Sequence, residues 1–341
     1  MRNNTEKKDI NKPLIITIII VIALLLVTAL TVFSVKKKID TENEYRVKGI
    51  EALEAENYDD AISYFNNALA NAVGGIGEKE CDICYYKAVA QYANGDLDGA
   101  LETYNALVSY DENDANARFL RGCVYLEQGE TISAIADYNV AADNTDDIEM
   151  LLQMYDNLES YGMLDEAEVY LRLIIDTKVK STADNLLVKG RAYLITGDYE
   201  KAIESLESAI EKENTKAYLY LYKVYEETGD TENANSALAK YVEEYPESSV
   251  ALNVLGCDAV ENGDYDSAVS YFLKGLESKD LTNEGELMRN LIAAYEYTGD
   301  YDLAWSYTKE YLEKYPSDED MAREANFIKS RASVTEEETE E

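Results

Sequence analysis

The chain has 341 residues, of which 31 are Lys or Arg and 68 are Asp or Glu, so its formal net charge at pH 7 is −37. A surface this acidic repels phosphate backbones, which excludes nucleic acid as an expected partner and favours neutral or basic ones. Because the chain contains no histidine, it lacks the commonest general base and a principal metal ligand, and we expect a non-enzymatic protein without catalytic residues, cofactor or metal.

The amino-terminal region carries a long apolar segment. Residues 1–12 form a short basic tail, and residues 13–35 contain no charged residue and are dominated by Ile, Leu and Val. A helix of that length reaches roughly 34 Å, which is enough to cross the hydrocarbon core of a bilayer. A cleavable signal peptide is the alternative, but its apolar region is shorter. We predict a single-pass transmembrane helix at 13–35, followed by a juxtamembrane linker at 36–41.

The charges beside this segment do not fix its orientation. Four Lys or Arg precede it and five follow closely, so the positive-inside count is nearly balanced. A short basic tail before an apolar run resembles a signal anchor, which favours an extracytoplasmic repeat domain. Lys36 to Lys38 and four cysteines without an evident disulfide framework favour the cytoplasm. We favour the extracytoplasmic side and leave the opposite one open.

The rest of the chain repeats one pattern, a glycine followed five residues later by an alanine. Seven such pairs occur, with the glycines 32 to 36 residues apart, and an eighth, degenerate copy has Glu56 and Ala61 in these places. The pairs are Gly95 with Ala100, Gly129 with Ala134, Gly162 with Ala167, Gly197 with Ala202, Gly229 with Ala234, Gly263 with Ala268, and Gly299 with Ala304. Apolar residues recur at helical spacing on both sides of each glycine. The pattern predicts stacked helical hairpins.

Each position of the pattern has a structural explanation. Glycine accepts the left-handed conformation that ends a helix, and alanine lets the two helices approach closely. The residue after the glycine is acidic in six copies, where it can cap the second helix. These residues are Asp96, Glu130, Asp198, Asp230, Asp264 and Asp300.

The unit resembles the tetratricopeptide repeat, a helix–turn–helix of 34 residues with a small residue in the middle of its first helix. That small residue is matched by Gly49, Ala88, Gly122, Gly190 and Gly256. The copies begin near residues 42, 81, 115, 148, 183, 215, 249 and 285. The resemblance implies an all-α, right-handed α-α superhelix of about eight hairpins over residues 42–318, preceded by the transmembrane helix.

The carboxyl-terminal end of the chain is predicted to cap the repeat array. Ser317 and Asp320 have the spacing of a capping box, and residues 319–334 are predicted to form a polar helix that covers the last repeat. Residues 335–341 contain no apolar residue and are predicted to be a disordered acidic tail.

In this family the first helices line a concave groove that recognises a protein or peptide segment. Carried onto this chain, the resemblance implies a partner-binding groove that includes Tyr85, Tyr92, Phe119, Leu187, Arg191, Leu219, Lys223, Asn253, Arg289 and Tyr297. Cys123 and Cys257 are expected to be small residues that line the same groove. The aromatic members would provide large contact areas at low entropic cost.

The function expected from these features is that of a membrane-tethered, non-enzymatic scaffold for a neutral or basic protein or peptide. Two alternatives stay open. The first is an accessory subunit of a cell-envelope assembly that acts through lateral contacts. The second is a thiol-redox protein using Cys81 and Cys84, whose C-x-x-C spacing at a helix start can accompany a lowered thiol pKa. The sequence leaves the partner and the oligomeric state open.

Overall fold

The computed structural model describes residues 12–279, 281, 283–316 and 318–332, with side chains from residue 24 onward except that of Glu319. Within these residues all regular secondary structure is helical, in 17 helices. They fall into two compact units, Met1–Val179 and Lys180–Glu341. The expectation of an all-helical repeat protein is confirmed.

The first unit contains eight helices among its described residues. They are α1 (Lys12–Glu54), α2 (Tyr58–Ala70), α3 (Glu78–Ala93), α4 (Leu97–Tyr110), α5 (Ala115–Glu127), α6 (Thr131–Asp143), α7 (Ile148–Ser160) and α8 (Leu164–Asp176). Consecutive helices pack as hairpins, namely α1 with α2, α3 with α4, α5 with α6, and α7 with α8.

The second unit contains nine helices in its described part. They are α9 (Ala183–Ile195), α10 (Tyr199–Glu211), α11 (Ala217–Thr228), α12 (Thr231–Glu244), α13 (Ser249–Glu261), α14 (Tyr265–Leu276), α15 (Glu284–Thr298), α16 (Tyr301–Lys314) and α17 (Glu319–Lys329). The pairs are α9 with α10, α11 with α12, α13 with α14, and α15 with α16, and α17 packs against α16.

The turn between the helices of each pair is built on the repeated glycine. All seven of these glycines have φ between +73° and +82°, and in the degenerate first copy Glu56 adopts φ 59°. Only glycine takes this left-handed conformation without a steric cost, which explains why it recurs at this place. The chain thus turns back at the same point in every pair.

The capping role predicted for the acidic residues is correct for the five aspartates and wrong for Glu130. Each aspartate accepts a hydrogen bond from the backbone amide three residues later, as Asp198 does from Lys201. The side chain of Glu130 makes no such bond, and it accepts one from the Ser133 hydroxyl instead, at 3.2 Å. Its longer side chain is a poorer N-cap than Asp or Asn.

The small residue in the first helix and the alanine in the second bring the two helices together. A Cβ added to Gly122 would lie 2.4 Å from Cε1 of Tyr138, a fully buried side chain of α6. Gly49, Gly190 and Gly256 meet Phe65, Leu206 and Phe272 in the same way. Every alanine of the pattern is buried, with at most 4% of its surface exposed. The pattern therefore specifies packing.

Helix α1 runs without interruption from Lys12 to Glu54, so the linker expected at 36–41 is helical. That stretch contains neither Gly nor Pro, and nothing in it ends a helix. The predicted transmembrane segment 13–35 lies in α1, but the side chains of residues 12–23 are outside the described part, as is most of the tail 1–12. Among the residues searched, no helix combines the length and apolar character needed to cross a membrane.

The carboxyl-terminal helix α17 (Glu319–Lys329) lies within the range 319–334 predicted for the capping helix, but its N-cap is one residue later than Ser317 of the predicted capping box. Asp318 is its N-cap, with Oδ1 accepting from the amides of Asp320 and Met321 at 3.1 and 2.9 Å. Aspartate is as effective an N-cap as serine, and it stands nearer the first helical residue. The helix packs on the last pair through Met321 and Ile328, which are buried. The tail predicted at 335–341 lies outside the described residues.

Candidate functional site

Each unit has a pocket on the face formed by its first helices. The pocket in the first unit is lined mainly by α3, α5 and α7, and the pocket in the second unit by α11, α13 and α15. Both therefore lie across three successive repeats. This is the face on which the family resemblance implies a partner-binding groove.

The pocket in the first unit, called the aromatic pocket below, has a volume of about 300 Å³. Its lining consists of Val89, Tyr92, Tyr104, Leu120, Cys123, Leu126, Glu127, Asn157 and Tyr161. Tyr92 and Tyr161 remain 38% and 45% exposed, whereas Tyr104 is 2% exposed. The pocket thus combines accessible aromatic rings with a buried one.

A hydrogen-bonded group forms one side of the aromatic pocket. The Asn157 amide nitrogen donates to the Tyr138 hydroxyl at 2.9 Å and to Cys123 Sγ at 3.4 Å. Burial raises the pKa of the Cys123 thiol and of the Tyr138 hydroxyl above their ordinary values, so both groups are neutral at physiological pH. This side of the pocket offers a ligand no charge.

The single charged group in the lining is Glu127, at the end of α5. The Tyr92 hydroxyl donates to Glu127 Oε1 at 3.1 Å, and the charge of this carboxylate also acts on the Tyr161 hydroxyl, whose pKa is raised mainly by burial. Burial, followed by the charge of Glu127, raises the pKa of Tyr92 to about 12. Both hydroxyls therefore stay protonated beside a carboxylate that remains exposed.

The pocket in the second unit, called the acidic pocket below, has a volume of about 510 Å³. Its lining consists of Leu219, Tyr222, Lys223, Glu226, Leu238, Val250, Asn253, Val254, Leu281, Asn283, Glu284, Gly285, Glu286 and Tyr315. Three carboxylates lie beside one lysine in this lining, so its local charge is negative. Burial, reinforced by a hydrogen bond to Glu226, raises the pKa of Tyr222 above its ordinary value.

Asn253 is the most constrained polar residue of the acidic pocket. It is 5% exposed, and its amide nitrogen donates to Glu286 Oε1 at 2.8 Å. Its amide oxygen accepts from Asn290 at 2.8 Å. Glu284 is bound in turn by Lys314 at 2.7 Å. These contacts hold two of the three carboxylates in place.

The pockets contain some of the residues predicted for the groove. Tyr92 and Cys123 line the aromatic pocket, and Leu219, Lys223 and Asn253 line the acidic pocket. The structure thus brings these five residues to pockets on the predicted face. Their role in binding stays a prediction.

The other predicted groove residues in the first unit have packing contacts. The Tyr85 hydroxyl donates to Asp114 Oδ2 at 2.5 Å, which joins α3 to the N-cap of α5. Phe119 stacks on Tyr138 with a centroid separation of 5.6 Å. Both residues are half-buried and lie outside the pocket lining.

The remaining predicted groove residues lie in the second unit, also outside the pocket lining, and most of them contact other side chains of that unit. Leu187 packs in the core of α9 to α11, and Arg191 lies over the Tyr220 ring at 5.2 Å. Arg289 pairs with Asp318 at 2.9 Å. Tyr297 stacks on Tyr265 at 4.8 Å and is nevertheless 59% exposed.

Sequence reasoning missed Glu127, Asn157 and Tyr161 in the aromatic pocket. Glu127 and Tyr161 stand two residues and one residue before the turn glycines of their repeats, in the last turn or at the C-cap of the first helix. Tyr92 stands three residues before its own turn glycine. Aromatic and acidic residues just before the turn glycine are therefore the signal that could have located this pocket.

Cys81 and Cys84 are half-buried on α3 and unbridged. Burial is the main cause that raises the pKa of both thiols, and nearby Asp114 and Glu80 add to the effect at Cys81. A redox-active thiol needs the opposite shift. Within the part of the chain that the structure describes, no group of three or more Cys, Asp or Glu is placed to hold a metal ion.

Comparison with known families finds the same repeat. Models described as TPR repeat or Tetratricopeptide repeat match residues 46–108, 90–129, 183–211, 216–248 and 253–319. Together these segments cover more than half of the chain. They include residues of both pockets.

Two curated relatives are longer proteins that match this chain over part of their length. A TPR repeat-containing protein of Methanocaldococcus jannaschii is 22% identical over 267 residues, which are 74% of this chain and 43% of that protein. DnaJ homolog subfamily C member 3 of Gallus gallus is 26% identical over 184 residues, 47% of this chain and 36% of that protein. The aligned regions span less than half the length of both relatives.

Among solved structures, a tetratricopeptide repeat protein from Parabacteroides merdae is similar in fold. It superposes with a TM-score of 0.53 and 17% identity, over 75% of this chain and 99% of that one. A likeness at this level of identity concerns the fold alone.

Proposed function

Because the chain belongs to the tetratricopeptide repeat family, we propose that it is a non-enzymatic scaffold that binds a partner protein segment on its first-helix face and is tethered to a membrane. A tether raises the effective concentration of the bound partner at the bilayer. The overall acidity of the chain favours a neutral or basic partner.

The observation that carries the binding proposal is the position of the two pockets. Both lie across three successive first helices, and both combine apolar or aromatic side chains with carboxylates. Concave, mostly apolar surfaces with a few well-placed polar groups are typical of binding sites. The aromatic pocket has that character, whereas the surface of the acidic pocket is more polar than apolar. The tyrosines of both pockets suit the anchoring residues of a peptide.

The tether proposal is supported by the apolar segment 13–35. The described part of this segment is exposed on all sides of α1, with Leu25, Leu30 and Phe33 63% to 68% exposed. Four consecutive apolar residues, 24–27, are each at least 58% exposed, so no face of the helix is covered by protein. Burying such an apolar surface in lipid is favourable, whereas exposing it to water is costly. We place the repeats on the extracytoplasmic side, on the basis of the short basic tail before the segment.

Site-specific photocrosslinking in cells tests the binding proposal. A photoreactive amino acid at Tyr92 or Tyr222 is expected to capture the same partner protein, because each position lies in a pocket. Ile132 on α6 is the matched control, since it is 84% exposed on a second helix. Capture of that partner from Ile132 and not from the pockets would contradict the proposal.

The tether is tested by extraction and by protease accessibility. The full chain should stay with the membrane fraction in alkaline carbonate, and a chain with Leu25→Lys and Leu30→Lys should be released. External protease should digest the repeats on intact cells. Release of the unmodified chain by carbonate would contradict the tether. Protection of the repeats from protease on intact cells would contradict their extracytoplasmic location.

A second candidate function is supported by apolar side chains on the second helices of the first unit. Ile132, Leu164, Val169 and Leu173 on α6 and α8 are 84%, 53%, 42% and 37% exposed. This surface suits lateral contacts in a cell-envelope assembly. In that case Ile132 would give the strongest crosslink, which makes the photocrosslinking experiment decide between the two functions.

A further inference from the structure

The aromatic pocket has two features that an apolar ligand would leave unused. The first is the Glu127 carboxylate, which accepts a hydrogen bond from the Tyr92 hydroxyl. A carboxylate has about four acceptor sites, so Glu127 can accept further donors. Its negative charge lies beside the rings of Tyr92 and Tyr161, whose faces attract cations.

The second feature is the hydroxyl of Tyr104. This side chain lines the pocket and is 2% exposed. Its hydroxyl makes no hydrogen bond within the described residues, unlike those of Tyr92 and Tyr138. The hydroxyl oxygen is not among the fully buried atoms that lack a partner, so it keeps some accessible surface, and a donor brought in by a ligand can bond to it.

A ligand that meets both features has an apolar stem and a cationic end with several N–H donors. Val89, Leu120 and Leu126 provide apolar surface for the stem. A guanidinium group carries five donors in one plane, stacks on aromatic rings and pairs with carboxylates through two parallel bonds. A lysine ammonium has three donors and no plane to stack, so it fits the three tyrosines less well.

We propose that the aromatic pocket binds an arginine side chain of the partner protein, with its stem on the apolar lining and its guanidinium on Glu127 and the Tyr104 hydroxyl. This inference rests on the proposed function, since it names the residue type that the first-helix face recognises. The net charge of −37 favours the approach of a basic segment. Arginine is among the residues that dominate the binding energy of interfaces.

The test is a titration of the full chain with N-acetyl-arginine methylamide, followed by NMR of 13C-labelled Leu and Val methyl groups. The methyl groups of Val89, Leu120 and Leu126 should shift, because they line the pocket. The citrulline analogue has nearly the same shape without the charge and should bind about tenfold more weakly, since charge-assisted hydrogen bonds are about twice as strong as neutral ones. The lysine analogue should be weaker than arginine.

Three variants locate the interaction. Glu127→Gln should weaken arginine binding about tenfold, to the level of citrulline, and Tyr104→Phe should weaken it severalfold. Glu102→Gln is the matched control, because it removes the same charge from an exposed position of α4 outside the pocket. It should leave binding within about twofold. The methyl spectrum of each variant shows whether the pocket is folded.

Equal binding of arginine and citrulline, tighter binding of lysine, or absence of shifts at the pocket methyl groups would overturn the proposal. An equal loss in Glu127→Gln and Glu102→Gln would also overturn it, because the charge of the whole chain would then explain the binding. If these tests fail while photocrosslinking from Tyr92 still captures a partner, the proposed function stands without the arginine. If both fail, the proposed function fails as well.

Discussion

A buried ion cluster between α5 and α6 holds the helix that carries much of the aromatic pocket. Asp137 on α6 is 2% exposed, and its carboxylate accepts hydrogen bonds from Arg118 at 2.8 Å and from Arg121 at 2.6 and 2.7 Å. Arg121 also donates to Asn105 on α4 at 2.7 Å. The cluster thus fixes α5, which contributes Glu127, against the second helices of two repeats.

Replacing Asp137 leaves two guanidinium groups without their counter-ion. The side chains of Arg118 and Arg121 are 19% and 13% exposed, so water cannot fully replace the carboxylate. Removing one partner of a buried pair costs about 3–5 kcal/mol, and we expect this loss for Asp137→Ala. Asp137→Asn keeps one acceptor oxygen and should lose about 2–3 kcal/mol. Asp143→Asn, at an exposed position of the same helix, should stay within about 0.5 kcal/mol.

Hydrogen exchange followed by mass spectrometry measures this loss of stability locally, since individual repeats of such proteins can unfold separately. Peptides from α5 and α6 of Asp137→Ala should exchange about 100- to 4,000-fold faster than in the unmodified chain, because each 1.4 kcal/mol is tenfold. A loss below about 1 kcal/mol, or an equal loss in Asp143→Asn, would refute the reasoning.

Three further predictions concern the repeats themselves. Glu56→Gly should raise the free energy of unfolding by about 0.5–1 kcal/mol and Gly197→Ala should lower it by about 1 kcal/mol, because both residues have positive φ. Thermal melts check this, since the melting temperature should rise in the first variant and fall in the second. Gly122→Ala should cost about 1–3 kcal/mol, since its Cβ would overlap Tyr138, and a neutral effect would contradict the close approach. Burial raises the pKa of Tyr104 and Tyr138 above 10.0, so their neutral forms stabilise the fold fully below pH 10 and this stability is lost as pH rises through the raised values. Tyrosine absorbance and circular dichroism should therefore change together above pH 10, and ionisation of the buried tyrosines without unfolding would contradict the assignment.

The hairpins could be predicted from the sequence because their determinants are local. A glycine with positive φ and an alanine in contact depend on residues only five apart, and the pattern occurs seven times. Glu130 shows the limit of such reasoning, because its charge suits a helix start but its length does not suit a cap. Asp318 shows that a capping residue cannot be located to within one residue by spacing alone.

The pockets were harder to predict because they join residues from three repeats. Tyr85 and Tyr92 lie two turns apart on α3 and were both assigned to the groove. Only Tyr92 lines the pocket, because the Tyr85 hydroxyl is bound to the N-cap of the next repeat. Glu127 and Tyr161 were missed although they stand two residues and one residue before their turn glycines, close to the places of Tyr297 and Tyr92 in their own repeats. Which side chains remain exposed there depends on the exact orientation of neighbouring helices, which one sequence does not contain.

Binding on the first-helix face is tested most directly by the affinity of the partner captured through Tyr92. It should be compared for the full chain, for the variant with Tyr92→Ala and Tyr161→Ala, and for a variant with the glutamates of residues 335–341 replaced by glutamine. The pocket variant should bind at least about 30-fold more weakly, as expected for the loss of aromatic anchors, and the tail variant should bind within about twofold of the unmodified chain. Unchanged affinity in the pocket variant together with loss in the tail variant would contradict binding on this face.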